Sequence, residues 1–403
     1  MTPEEFTVNV PDAVLADLKH RLVNARWPND VGNENGAYGF DGNYLRELAR
    51  YWAEDFDWRA MEQRINQFRH YRAEVDGVPI HYIREPGVGP KPLPLILSHG
   101  WPSTFWDLHK IIEPLANPAA FGGDPADAFE VIVPSLPGFG FSTPLPRAGI
   151  SAAVMADLWQ TLMTEVLGFE RYAAAGCDWG SHVTSELGHK YADSLYGMHI
   201  LGATPLDLFN HERFWDITAG FVPYDAPEEV RRAILPFVTK TITHACVQTL
   251  EPQTLSYAMH DSPIGQLAWL MQRWLAWSDC DDNLDNAYDR DFLLTTAMLY
   301  WATDSFSSSV RIYREAALQP WQPSHNRTPR IETPTGITFL GGENPPGVTT
   351  ATRVDIFRQS KQARNYNLHF VNAHDHGGHF GYVENPEACV ADIRATFRDL
   401  RNR

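Results

Sequence analysis

An α/β protein with a mostly parallel sheet flanked by helices is what the sequence predicts, and three observations predict it. Short apolar runs suited to buried strands (residues 92–98, 130–133, 172–175 and 197–201) alternate with helical periodicity at 105–115, 152–167 and 182–191. Strand, helix, strand repeated in this order makes parallel neighbours joined by right-handed crossovers. Strand signals then stop between about 205 and 316, where Trp215, Trp269, Trp274, Trp277 and Trp301 sit among helical patterns, and resume at 336–340 and 367–371. The interruption reads as a helical cap inserted into the sheet domain. At 403 residues the chain is too long for one ~150-residue domain, which agrees with a large core carrying an insertion.

Ahead of the first buried run, Val14, Leu15, Leu18, Leu22 and Val23 recur at helical spacing over 12–26, and 43–52 and 58–68 repeat the pattern. Residues 1–75 are therefore expected as a helical meander packed on the core. At Tyr71 the period changes to two: Ala73, Val75, Val78 and Ile80 flank the turn signal Asp76-Gly77 and predict a hairpin. The core is then expected over 76–204 and 317–403, with 205–316 as the cap and a closing helix at 386–400.

Lys+Arg 33 against Asp+Glu 50 gives a net charge of −17, a field that repels phosphate backbones and anionic bilayers, so neither nucleic acid nor membrane is an expected partner. Cys177, Cys246, Cys280 and Cys389 lie far apart without a CxxC pair, which argues against a zinc knuckle or disulfide framework and for reduced thiols in the cytoplasm. The first residues, Met1-Thr2-Pro3-Glu4-Glu5-Phe6, carry neither a basic region nor an apolar run, and no ~18-residue apolar stretch occurs to span a bilayer. A soluble intracellular protein is expected.

Chemistry concentrates in three segments. Gly176-Cys177-Asp178-Trp179-Gly180 lies where a buried strand meets a helix, the context of a G-x-S-x-G nucleophile elbow with Asp in the Ser position. A carboxylate there, beside a helix N-terminus, stays ionised and can attack an electrophilic carbon, leaving an ester. The bland alternative is a helix N-cap, against which the paired glycines and the upstream strand both weigh. His99-Gly100-Trp101-Pro102 follows the first buried strand and can aim a backbone N–H at an oxyanion, so the Trp101 and Trp179 amides are the candidate donors. Near the end stands His374-Asp375-His376-Gly377-Gly378-His379. Three histidines and an aspartate invite a metal site, but no HExxH-type pattern supports one, and His379 after two glycines suits a catalytic base in the order nucleophile, acid, histidine. The acid should close a strand between Asp178 and His379. Glu343 fits after 337–342, with Asp304 as rival and Asp261 and 279–285 more remote.

These residues resemble the microsomal-type epoxide hydrolases, together with insect juvenile hormone epoxide hydrolases and their soluble bacterial relatives. The resemblance runs nearly end to end, through Tyr38-Gly39-Phe40, Phe56-Asp57-Trp58, His99 to Pro102, Pro134-Ser135-Leu136-Pro137-Gly138-Phe139-Gly140, Gly176 to Gly180, Asp261-Ser262-Pro263-Ile264-Gly265, Leu299-Tyr300-Trp301 and Gly377 to Phe380. It implies an α/β-hydrolase fold with Asp178 as nucleophile, His379 as water-activating base and Glu343 as acid. The family's epoxide-polarising tyrosine, in an Arg-Phe-Tyr-Lys-Glu segment, falls on Tyr313 within Arg311-Ile312-Tyr313-Arg314-Glu315. Two departures stand out. The N-terminal anchor of the mammalian members has no counterpart at the start of this sequence, and His244 occupies the place of the family's second cap tyrosine, with Tyr257 as the fallback. An imidazole of ordinary pKa, ~6.5, would make ring opening gain at lower pH.

The implied reaction takes a small-molecule epoxide and water to a vicinal diol with no cofactor and no metal; the resemblance leaves room for a homo-oligomer. The cap aromatics favour an apolar epoxide, aryl or polyunsaturated, and bacterial relatives serve natural-product pathways including enediyne assembly. A haloalkane or haloacid dehalogenase also uses an Asp nucleophile, and a relative that binds ligand without turnover is the alternative of another class.

Overall fold

The computed structural model describes residues 2–220 and 227–401. Its first element is a strand too short for periodicity to announce: β1 (Glu4–Phe6) pairs antiparallel with β2 (His70–Val75), Phe6 opposite His70. Between them lie α1 (Asp12–Val23), α2 (Gly42–Glu54) and α3 (Trp58–Ile65). Asp41 and Asp57 cap α2 and α3 through backbone N–H groups of Asn43, Tyr44 and Ala60. The third helix ends earlier than its apolar pattern because Asn66 turns out of it, accepting from Val8 N–H and donating to Val8 C=O.

Asp76 and Gly77, both at positive φ, turn β2 into β3 (Val78–Glu85) as expected. The sheet continues with β4 (Leu93–Ser98), α4 (His109–Ala116), β5 (Phe129–Pro134), α5 (Ala152–Thr161), β6 (Tyr172–Cys177), α6 (Trp179–Lys190) and β7 (Leu195–Leu201). Helix α6 begins at Trp179, three residues ahead of its expected start, directly after Asp178. Ahead of the next strand the described residues form five α-helices: α7 (Glu228–Leu250), α8 (Pro252–Met259), α9 (Pro263–Trp277), α10 (Arg290–Ala302) and α11 (Ser305–Leu318). The chain then returns through β8 (Ile331–Leu340), α12 (Thr350–Gln359), β9 (Tyr366–His374), α13 (Gly381–Glu384) and α14 (Pro386–Arg398). Strand β8 starts five residues before Gly336 and carries Pro334, where its register against β9 shifts, since proline has no N–H to give the ladder.

The nine strands of the described residues are ordered β1-β2-β3-β5-β4-β6-β7-β8-β9. The first three pairings are antiparallel and the rest parallel. Leaving β4, the chain first moves outward to β5 and then crosses to β6 on the other side. This reversal opens a crevice at the carboxyl ends of the central strands, the usual ligand position in such sheets. Ser98 lies opposite Gly176, so the segments after β4 and β6 emerge side by side there. Leu95, Ile96, Leu97, Ala173, Ala174 and Ala175 have no exposed surface, which makes these two strands the floor of the core. No helix of the described residues is long and apolar enough to cross a membrane.

Candidate active site

Asp178 sits between β6 and α6 at φ 50°, ψ −124°, a backbone state that a non-glycine residue keeps only when its surroundings impose it. The neighbours do so by proximity. A Cβ on Gly176 would come within 2.3 Å of the Gly180 carbonyl oxygen, and one on Gly180 within 2.1 Å of the Ser98 oxygen. The side chain caps none of the α6 amides, so the plain N-cap reading fails and the Trp179 N–H is left for other use. Instead Asp178 Oδ1 accepts from Trp101 N–H at 2.7 Å. Gly100 permits that approach, since a Cβ there would lie 2.1 Å from Oδ1.

His379 Nδ1–H donates to Glu343 Oε1 at 2.8 Å, and Nε2 stands 3.3 Å from Asp178 Oδ2 without an aligned hydrogen bond. Arg353, on the unanticipated helix α12, places its guanidinium 3.5 Å from Glu343 Oε2 and donates to Leu340 C=O. Burial works against charge on both members of the pair, yet their mutual bond prevails. Glu343 is held down to about 2, and the Asp178 and Glu343 carboxylates push His379 up to about 10. The loop is fixed from behind by Glu384, whose carboxylate accepts from the backbone N–H groups of Gly378, Phe380 and Asp279. His379 N–H donates to Trp277 C=O, and Phe380 stacks on Trp274 at 3.7 Å, so cap helix α9 holds the loop as well.

The remaining candidates sort themselves. Asp304 is exposed, with its carboxylate 3.7 Å from His260; Asp261 pairs with Arg21, and Asp285 accepts from Tyr44 Oη. Asp279 is exposed and accepts from Gly377 N–H. His374 closes strand β9 and bonds Asp392, which also accepts from Thr338 and Asn372. Among the described residues no cluster of His, Cys, Asp and Glu is arranged to hold a metal ion.

On the cap side, Tyr313 of α11 and His244 of α7 are buried and meet with Oη 3.0 Å from Nε2. Rings immobilise them. Trp101 stacks on His244 at 5.3 Å, Trp277 meets its edge at 4.7 Å, and Trp179 packs T-shaped against Tyr313 at 4.9 Å. Tyr257, 74% exposed, lies outside this arrangement. Against the ordinary titration expected of His244, burial, aided by the charges of Arg273 and His379, drives its pKa well below the usual value. Burial and the Asp178 charge raise Tyr313 well above 10. A cavity of about 690 Å³ is bounded by Asp178, Trp179, His244, Tyr313, Glu343 and His379, and Leu208, Phe209, Ile217, Phe237 and Leu275 also line it. Sequence reasoning missed Arg353, Glu384, Arg273 and Trp277 as members of this neighbourhood, because no residue pattern along the chain marks the contacts that bring them there.

The family described as "Epoxide hydrolase N terminus" matches residues 3–108, and the alpha/beta hydrolase fold matches 94–386. A protein of Stigmatella aurantiaca (strain DW4/3-1) named "Putative epoxide hydrolase" is 36% identical over 98% of this chain and 85% of its own. The chain belongs to the epoxide hydrolase family. Epoxide hydrolase 1 of Oryctolagus cuniculus is 29% identical over 96% of this chain and 87% of its own length. The crystal structure of juvenile hormone epoxide hydrolase from the silkworm Bombyx mori superposes with a TM-score of 0.78 at 24% identity, covering 99% of this chain and 95% of that one. The Aspergillus niger epoxide hydrolase gives 0.78 at 25%, covering 99% and 97%. This epoxide hydrolase therefore has the microsomal and juvenile hormone types among its relatives, and its fold is the α/β-hydrolase fold that the resemblance implied.

Proposed function

We propose that the chain hydrolyses a bulky apolar epoxide to a vicinal diol by way of an Asp178 ester. The observation that carries the reading is that Asp178, the His379–Glu343 pair and the Tyr313–His244 pair all line one cavity. Oδ1 is occupied by Trp101 N–H, so Oδ2 is the attacking oxygen. As the C–Oδ2 bond forms and the ring C–O bond breaks, the ring oxygen takes the phenolic proton of Tyr313 and leaves a phenolate. Esterification removes the Asp178 charge, which is part of what raises His379. The imidazolium proton then passes to the phenolate, and the neutral imidazole that remains can accept a proton from water.

Hydroxide so formed adds to the ester carbonyl, whose oxygen is Oδ1, already against the Trp101 amide; the Trp179 amide is the second donor. Collapse breaks the Cγ–Oδ2 bond, the departing alkoxide takes the proton of the Asp178 carboxylic acid so formed, and the Asp178 carboxylate is restored with His379 left as imidazolium. The cavity exceeds what one aryl ring fills and lies within the ~300–1,000 Å³ of small-molecule sites, which supports a substrate with a large apolar body. The acidic chain with four free cysteines supports a cytoplasmic setting. Incubation with styrene oxide and with a larger polycyclic epoxide should yield diols. Halide release from a haloalkane without any diol, or binding without product, would replace this reading by a dehalogenase or a ligand-binding protein.

A further inference from the structure

Arg273 of α9 is 6% exposed, and no carboxylate among the described residues pairs with it. An unpaired buried guanidinium is costly, so its place matters. Its NH1 donates to Lys240 C=O at 3.0 Å. Lys240 stands four residues before His244 on α7, so this carbonyl belongs to the helical turn that presents His244. The guanidinium carbon lies 5.8 Å from the Trp277 ring centroid, and the same indole touches both His244 and His379. The electrostatic neighbours of Arg273 include Tyr313 and His244. Burial lowers the guanidinium to about 10, which leaves it charged at neutral pH.

Resting on the ester mechanism above, we propose that Arg273 is a positioning residue for ring opening, a fixed buried cation that acts through Tyr313 and His244. In that step negative charge leaves Asp178 and arrives on the ring oxygen and then on Tyr313, so it moves from the sheet side to the cap side. A cation already held on the cap side stabilises the product of this transfer and does nothing for the later attack of water at Oδ1. Asp178 is charged before ring opening and neutral after it; Arg273 keeps its charge throughout.

The test uses His379→Gln protein, in which the ester accumulates, and follows by rapid-quench mass spectrometry how fast styrene oxide adds to it. Added Arg273→Gln keeps an N–H donor for Lys240 C=O but removes the charge, and should slow ester formation on the order of 10- to 100-fold. Arg273→Lys keeps the charge and should stay within about 3-fold of the reference. Trifluoromethyloxirane, whose alkoxide is a weaker base, should lose less than methyloxirane in the Gln variant, a selectivity that packing alone would not produce. Gln and Lys variants that are equally slow, or a Gln variant as fast as the reference, would overturn the proposal. No ester in the reference protein would instead bring down the ester mechanism itself.

Discussion

On the sheet side of the cavity, Asp178 is held by a positive-φ backbone, two glycines that admit no Cβ, and a 2.7 Å bond from Trp101 N–H. On the cap side, Tyr313 and His244 meet each other at 3.0 Å and are otherwise held by the faces and edges of Trp101, Trp179 and Trp277. The first arrangement is covalent geometry and hydrogen bonding, which tolerates almost no substitution. The second is ring packing, which fixes a region of space more than a particular atom. A histidine, His244, can therefore serve beside Tyr313 on the cap side, whereas the elbow depends on its Gly-x-Asp-x-Gly spacing.

If that contrast is right, the sheet side should show the steepest losses. Asp178→Asn should lower diol formation by at least about 10⁴-fold, because an amide is a poor nucleophile at carbon. Steady-state assay checks it, and activity within tenfold of wild type would remove the ester. Next, His379→Gln should slow ester hydrolysis by about 10³-fold or more while leaving ring opening intact. Intact-mass measurement should find the protein heavier by one substrate, and an unmodified mass with full turnover would exclude His379 as the base.

On the cap side, Tyr313→Phe should cost ring opening on the order of 10²-fold, read in single-turnover experiments. His244→Phe should cost less, on the order of tenfold. The pH dependence sharpens this point. Burial disfavours charge on both His244 and the Tyr313 phenol, so ring opening should be flat from pH 6 to 9, and hydrolysis should fall only at low pH, where protons from solvent return to the neutral His379 of the ester. A ring-opening rate that climbs below pH 7 would mean that His244 does titrate. The smallest effect belongs to Glu384→Gln, which leaves one oxygen for three backbone donors. A stability loss of about 1–3 kcal/mol, read as a lower Tm, should accompany a few-fold slower hydrolysis with ring opening unchanged; unchanged Tm and hydrolysis would show that α9 alone steadies the His379 loop.

Sequence by itself determined what local chemistry can encode. Alternating apolar runs announced β4 to β7 and the helices between them, and Asp76-Gly77 announced the hairpin. Glycines on either side of Asp178 marked the elbow because a sharp turn at close quarters needs them in neighbouring positions. Strand β1 escaped, since three residues carry no period, and so did helix α12, whose apolar stripe is weak. In the sequence Glu343 stood ahead of Asp304 only by its strand end; its 2.8 Å bond to His379 across 36 residues belongs to the tertiary structure. Only the tertiary structure set the direction in which the His244 pKa moves, because burial and the nearby charges of Arg273 and His379 arise from packing in space. The same holds for Arg273: its isolation from every described carboxylate results from how α7 and α9 pack, and no neighbour along the chain foretells it.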